Sequence, residues 1–162
     1  MAPTDVGFIP GAPGLDDDFE MPDAVLFCCT LNAIRSPMAE GILKKLLGTK
    51  IYVDSVGARS SDYADGFMVE VMQEIGVDMS DHAPKIFDEL EDGYYDLIIA
   101  LSPEAQHHAV EMTRTMACDV EFWNTLDPSI IEGSRDVRLQ AYRQVRDQLM
   151  KKIKQRFRIE DD

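Results

Sequence analysis

Apolar and polar positions alternate in blocks from residue 24 to residue 157. Ala24–Cys28 is a short apolar run that ends before a polar turn, the pattern of a buried strand. Ser36–Leu47 carries Met38, Ile42, Leu43, Leu46 and Leu47 on a helical stripe closed by Gly48. Ile51–Ser55 reads as a second strand, and Phe67–Ile75 as a helix with Val71, Met72 and Ile75 on one side and Gly76 ending it. Tyr95–Leu101 is apolar enough for a central strand, and Pro103 opens a helix predicted to run to Met116. Val120–Phe122 is a short fourth strand. Arg135–Phe157 is a long last helix, with Val137, Ala141, Val145, Leu149 and Ile153 in line. Strands alternating with helices predict an α/β fold, a three-layer α/β/α sandwich on a four-stranded parallel sheet. In such folds ligands bind beyond the carboxyl ends of the strands, which points to the turn after the first strand, residues 29–35.

Residues 1–23 break the pattern. They hold four of the eight prolines, three of the ten glycines, six acids and no Lys or Arg, so a flexible tail is expected there and one domain over residues 24–162. The tail also lacks the basic start and apolar centre of a secretory leader. The 162 residues carry a net charge of −14, which argues against binding to nucleic acid or to an anionic membrane surface. No apolar stretch approaches the roughly 18–20 residues that span a bilayer. Three cysteines form no disulfide framework, so a reducing, cytoplasmic setting is expected. No Cys/His spacing suggests zinc and no acidic loop suggests calcium, so neither metal nor cofactor is expected. Oligomeric state is not encoded in any motif.

The turn reads Cys29-Thr30-Leu31-Asn32-Ala33-Ile34-Arg35-Ser36-Pro37-Met38-Ala39-Glu40. A short loop entering a helix N-terminus presents backbone N–H groups and the positive end of the helix dipole to an anion. Such a setting favours a thiolate at Cys29 and holds an oxyanion over it. Arg35 adds a bidentate fork, Ser36 offers a hydroxyl to the sulfur, and Asn32 tolerates the left-handed backbone a tight arc needs.

The segment Val25–Glu40 resembles the signature of the low-molecular-weight protein tyrosine phosphatases, whose fold the thioredoxin-coupled arsenate reductases share. Asp54-Ser55-Val56-Gly57-Ala58, Gly76–His82, Tyr95–Leu101 and Asp127-Pro128 extend the resemblance over residues 24–157. It implies Cys29 as nucleophile, Arg35 as phosphate clamp and Asp127 as general acid. Thr30, Leu31, Asn32, Ala33, Ile34 and Ser36 would line the phosphate site, and His82 would steady the loop. The implied reaction is phosphomonoester hydrolysis through a phosphocysteine, with a phosphorylated protein or a small phosphomonoester as substrate. Three departures stand out. Leu31 replaces the family's usual Gly, Ile34 replaces a frequent second Cys, and Ser129 replaces a Tyr that frames a phosphotyrosine slot.

Two other functions remain open. An arsenate reductase on this fold needs two further cysteines after the third strand, and Ala100–His107 contains none. A non-catalytic phosphate-binding module would not need Cys29, Arg35, Ser36 and Asp127 in register. Cys28 and Cys118 read as packing residues, and His107 and His108 as solvated helix positions. Trp123 is either core or a wall of the site, and Tyr63 is a candidate wall.

Overall fold

The computed structural model describes residues 19–90 and 93–160. Most of the expected acidic tail, residues 1–18, lies outside these. Just before the sheet, the N–H groups of Asp23 and Ala24 donate to the Asp96 carboxylate at 2.7 and 2.9 Å.

Four strands, β1 (Ala24–Cys29), β2 (Tyr52–Gly57), β3 (Leu97–Ala100) and β4 (Asp119–Phe122), form one parallel sheet in the order β2-β1-β3-β4. Side chains alternate across it. Val25, Phe27 and Cys29 face helices α1 (Arg35–Leu47), α2 (Gly66–Gln73) and α4 (Arg135–Arg156). Leu26 and Cys28 face α3 (Pro103–Met112) on the other side. This is the expected three-layer sandwich. Met38, Ile42 and Leu43 of α1 are fully buried, each contributing about 1.5–3 kcal/mol of apolar burial. Chain order reverses between β1 and β3, since β1 leads into α1 on one face and β3 into α3 on the other. That crevice is where an open α/β sheet places its ligand.

Several element ends differ from the sequence reading. The helix expected to reach Met116 stops at Met112. Thr113 and Thr115 donate their hydroxyls to the carbonyls of Val110 and Met112, competing with further helical bonds. The buried stripe of α4 is Leu139, Tyr142, Val145, Leu149 and Ile153, whereas Val137 is exposed. At 3.6 residues per turn, strict steps of four drift by about 40° each, so a row from Val137 to Ile153 leaves the core. Tyr142 holds its place in the stripe by an edge-to-face contact with Phe67 and a 3.0 Å hydrogen bond to Asp65. His108, expected in solvent, stacks on Phe87 at 5.4 Å and is half-buried, while His107 is exposed.

Candidate active site

The loop after β1 turns its carbonyls outward. Ala58 N–H donates to the Cys29 carbonyl, Arg59 N–H to Thr30, Asp65 N–H to Ala33 and Met38 N–H to Ile34, at 2.8–3.1 Å. The Asn32 carbonyl lies 3.0 Å from His82 Nε2. In a trans peptide the N–H points opposite to the C=O. The N–H groups of Thr30, Leu31, Ala33, Ile34 and Arg35 therefore point towards the inside of the arc, as an anion nest requires. Asn32 makes the arc close, at φ 58°. The N-cap of α1, Ile34, supplies no capping side chain, and the first turn holds no acid, so the positive helix end is left to a ligand.

Gly57 explains how the arc fits its frame. A Cβ there would lie 2.6 Å from the Leu31 carbonyl carbon and 2.7 Å from Asn32 N, both backbone atoms. In the sequence this glycine stands within Asp54–Ala58 with no local sign of such a role. The outer supports Ala58, Arg59 and Asp65 were also missed, because they act through backbone groups or through a cap that the sequence pattern does not advertise. Asp65 accepts the N–H groups of Phe67 and Met68 at the start of α2 and the hydroxyl of Tyr142 on α4, so it braces the loop against two helices.

Cys29 is 2% exposed, with its sulfur 2.9 Å from Ser36 Oγ and 3.4 Å from Ser36 N. Asn32 Nδ2 donates to Ser36 Oγ at 2.8 Å and to Ser55 Oγ at 2.9 Å, while its Oδ1 accepts from Lys85 N–H at 3.0 Å. Arg35 donates to the Thr125 carbonyl at 3.0 Å and to Thr30 Oγ1 at 3.2 Å. Thr30 in turn donates to Ser102 Oγ, the N-cap of α3, at 3.1 Å. Arg35 thus ties the arc to the segment that carries Asp127, two residues beyond Thr125. Asp127 Oδ1 accepts both Ser129 N–H and Ser129 Oγ–H, at 2.9 and 2.7 Å.

Among the remaining candidates, Leu31 is 40% exposed on the arc, while Ala33 and Ile34 are buried beneath it. Trp123 belongs to the core, edge-on to Phe27 with its N–H bonded to Glu121. Tyr63 stands 81% exposed in the loop after β2. The other two thiols are set apart from Cys29. Cys28 lies on the opposite face of β1, and burial, with the neighbouring Cys29, pushes its thiol well above the ordinary range. Cys118 precedes β4 at the end of the sheet away from the arc, and burial with Asp119 and Asp96 nearby pushes it up to about 11.

An anion nest of this form at the β1–β3 crevice, closed over a cysteine and an arginine six positions apart, defines a phosphate-loop α/β protein. The family model for low molecular weight phosphotyrosine protein phosphatase matches residues 24–159, and the chain belongs to that family. An arsenate reductase of Halalkalibacterium halodurans is 33% identical over 132 residues, which span 80% of this chain and 91% of that protein. The solved low molecular weight protein tyrosine phosphatase from T. tengcongensis superposes with TM-score 0.69 at 28% identity, covering 83% of this chain and 97% of its own. An arsenate reductase solved in its oxidized state gives TM-score 0.67 at 27% identity, covering 82% and 95%.

Proposed function

We propose that the protein is a cysteine-dependent phosphomonoester hydrolase that acts on phosphorylated proteins, with phosphotyrosine as the preferred ester. The observation that carries this reading is the link from Arg35 to Thr125, which brings the phosphate arc and the Asp127 segment into one assembly. In the first step the Cys29 thiolate attacks phosphorus in line with the leaving oxygen, forming the S–P bond as the P–O ester bond breaks. Protonated Asp127 gives its proton to the leaving phenolate. Both Ser129 bonds fall on Asp127 Oδ1, which makes Oδ2 the oxygen suited to carry that proton. In the second step Asp127 accepts a proton from the water that attacks phosphocysteine, and the thiolate departs. Arg35 and the inward N–H groups hold the equatorial oxygens, most strongly as charge spreads in the transition state.

Arsenate reduction is the second reading, favoured by the names of relatives such as the Halalkalibacterium protein. Against it stands the distribution of thiols. The relay needs two further thiols within reach of Cys29, and Cys28 and Cys118 lie on another face and at another end of the sheet.

The two readings separate in one paired assay under reducing conditions. The protein should release phosphate from a phosphotyrosine peptide and should not consume a thioredoxin-type reductant when given arsenate. Reductant consumption that depends on arsenate and on Cys118, without ester hydrolysis, would overturn the proposal.

A further inference from the structure

Five arginines stand on α4, and four of them meet a carboxylate. Arg135 pairs with Glu70, Arg143 with Glu74, Arg146 with Glu74 and Asp147, and Arg156 with Glu121. Arg138 is the exception. Among the described residues it makes no ion pair and no hydrogen bond, and its guanidinium lies over the Phe67 ring, 4.7 Å from the centroid. With thirty acids to sixteen basic residues in the chain, a half-buried arginine without a carboxylate is unusual. We propose that Arg138 is a specificity-determining residue that receives an acidic side chain next to the phosphorylated residue of a protein substrate.

Position on the helix puts Arg138 beside the site. α4 begins just after the Asp127 segment and runs away from the carboxyl ends of the strands. Arg138 precedes Tyr142 by four residues, so it lies one turn nearer the site on the same helix face. The Tyr142 hydroxyl reaches Asp65, whose own N–H holds the Ala33 carbonyl of the arc. On the other side, the short turn Pro128–Ile130 packs against α4 directly after Asp127. Burial and then Asp65 push the Tyr142 hydroxyl well up, while Arg138 lowers it and Asp127 raises it further. One hydroxyl thus lies within electrostatic range of both Arg138 and the residue assigned as general acid.

The chemistry suits a carboxylate from a polypeptide. A phenyl ring takes none of the five N–H groups of Arg138 in an ordinary hydrogen bond, so these remain for a fork on a planar anion. Stacking on Phe67 fixes where that charge stands. Arg135 also lies over the ring, at 5.8 Å, but Glu70 already occupies it. Leu126, Ile130 and Val137 expose apolar surface along the stretch from Thr125 into α4, which favours an extended chain over a small ester. The net charge of −14 repels an acidic chain at long range, so a local cation has a use here.

The inference rests on the hydrolase reading only for the phosphorylated substrate, and binding tests it without turnover. Two phosphotyrosine peptides are compared that differ only in carrying Glu or Gln on both sides of the phosphotyrosine. Dissociation constants are measured for Cys29→Ser, which leaves the ester intact, alone and combined with Arg138→Gln, Arg138→Lys or Arg138→Glu. The Cys29→Ser protein should bind the Glu peptide about tenfold more tightly than the Gln peptide, with the difference shrinking as salt is added. Arg138→Gln should abolish the difference, Arg138→Glu should reverse it, and Arg138→Lys should keep only part of it. The lysine variant, the mildest of the three, carries the test if the others do not fold. A role confined to stacking on Phe67 would weaken both peptides alike, and that result would overturn the proposal. Equal affinity for the two peptides before Arg138 is changed would overturn it, as would an undiminished preference in the Arg138 variants. Hydrolysis of both peptides by the parent chain is followed alongside. A preference in binding without any hydrolysis would sink the hydrolase reading and leave Arg138 with its role in recognition.

Discussion

Arg35 donates to the backbone carbonyl of Thr125 at 3.0 Å, so one guanidinium joins the phosphate arc to the segment that presents Asp127. The same group also holds Thr30 Oγ1 at 3.2 Å. A planar fork meets both partners and keeps N–H groups for the oxyanion of the proposed reaction, whereas an ammonium is a single point donor. Arg35→Lys should keep the fold, because the side chain is only partly buried. It should lower kcat/KM by about a hundredfold or more, as loss of a transition-state donor does. Steady-state kinetics with thermal unfolding on the same sample checks both halves of this statement.

Gly57 has no room for a methyl group, since a Cβ would meet the backbone at Leu31 and Asn32 within 2.7 Å. Neither atom belongs to a flexible side chain, so the arc itself must move. Gly57→Ala should lower stability by about 1–3 kcal/mol and weaken binding of vanadate or phosphate. Denaturant unfolding and anion titration report the two effects. A Gly57→Ala protein that binds phosphate as the parent does would show that the arc is not held in place by this contact.

The three cysteines should separate by reactivity. Burial raises the Cys28 thiol well above its ordinary range, and Cys118 is pushed up to about 11, so both stay protonated at neutral pH. Brief alkylation of the folded protein followed by peptide mass spectrometry should place the label on Cys29, with Cys28 and Cys118 modified only after unfolding.

Stability should depend on acid through Glu74. Hydrogen bonds from Arg143 and then Arg146 lower its carboxyl to about 2 from an ordinary 4.5. A carboxyl with a depressed folded value contributes fully above its unfolded value and loses that contribution as pH falls towards the folded one. The parent should therefore lose stability between about pH 5 and pH 2 more steeply than Glu74→Gln, in matched urea unfolding series. Parallel curves for the two proteins would show that Glu74 does not set the acid response.

Much of this was legible in the sequence, for physical reasons. Strands such as Ala24–Cys29 and helices such as α1 announce themselves by apolar runs and stripes, and Cys29, Arg35 and Ser36 sit at the one junction where chemistry is expected. Asn32 was legible because few residues accept φ near 58°. Less legible were roles carried by distant backbone groups. Nothing local in the sequence says that Asp65 N–H will hold the Ala33 carbonyl, or that Gly57 will lie against Leu31. Nothing local to Glu40 says that Ser55, fifteen residues on, is placed against it by the pairing of β2 with β1. The overextended helix after Pro103 failed for a local reason, the hydroxyls of Thr113 and Thr115, which periodicity alone does not weigh.

In the proposed reaction Cys29 becomes phosphorylated and turns over. The most direct measurement is rapid acid quenching of the reaction with p-nitrophenyl phosphate under reducing conditions at mildly acidic pH, followed by mass spectrometry of the Cys29 peptide. A phosphate adduct on Cys29 should appear together with steady nitrophenol release, and neither in Cys29→Ser. A folded parent protein that binds vanadate yet shows no adduct and no release would contradict it, and would leave a phosphate-binding module on a phosphatase fold.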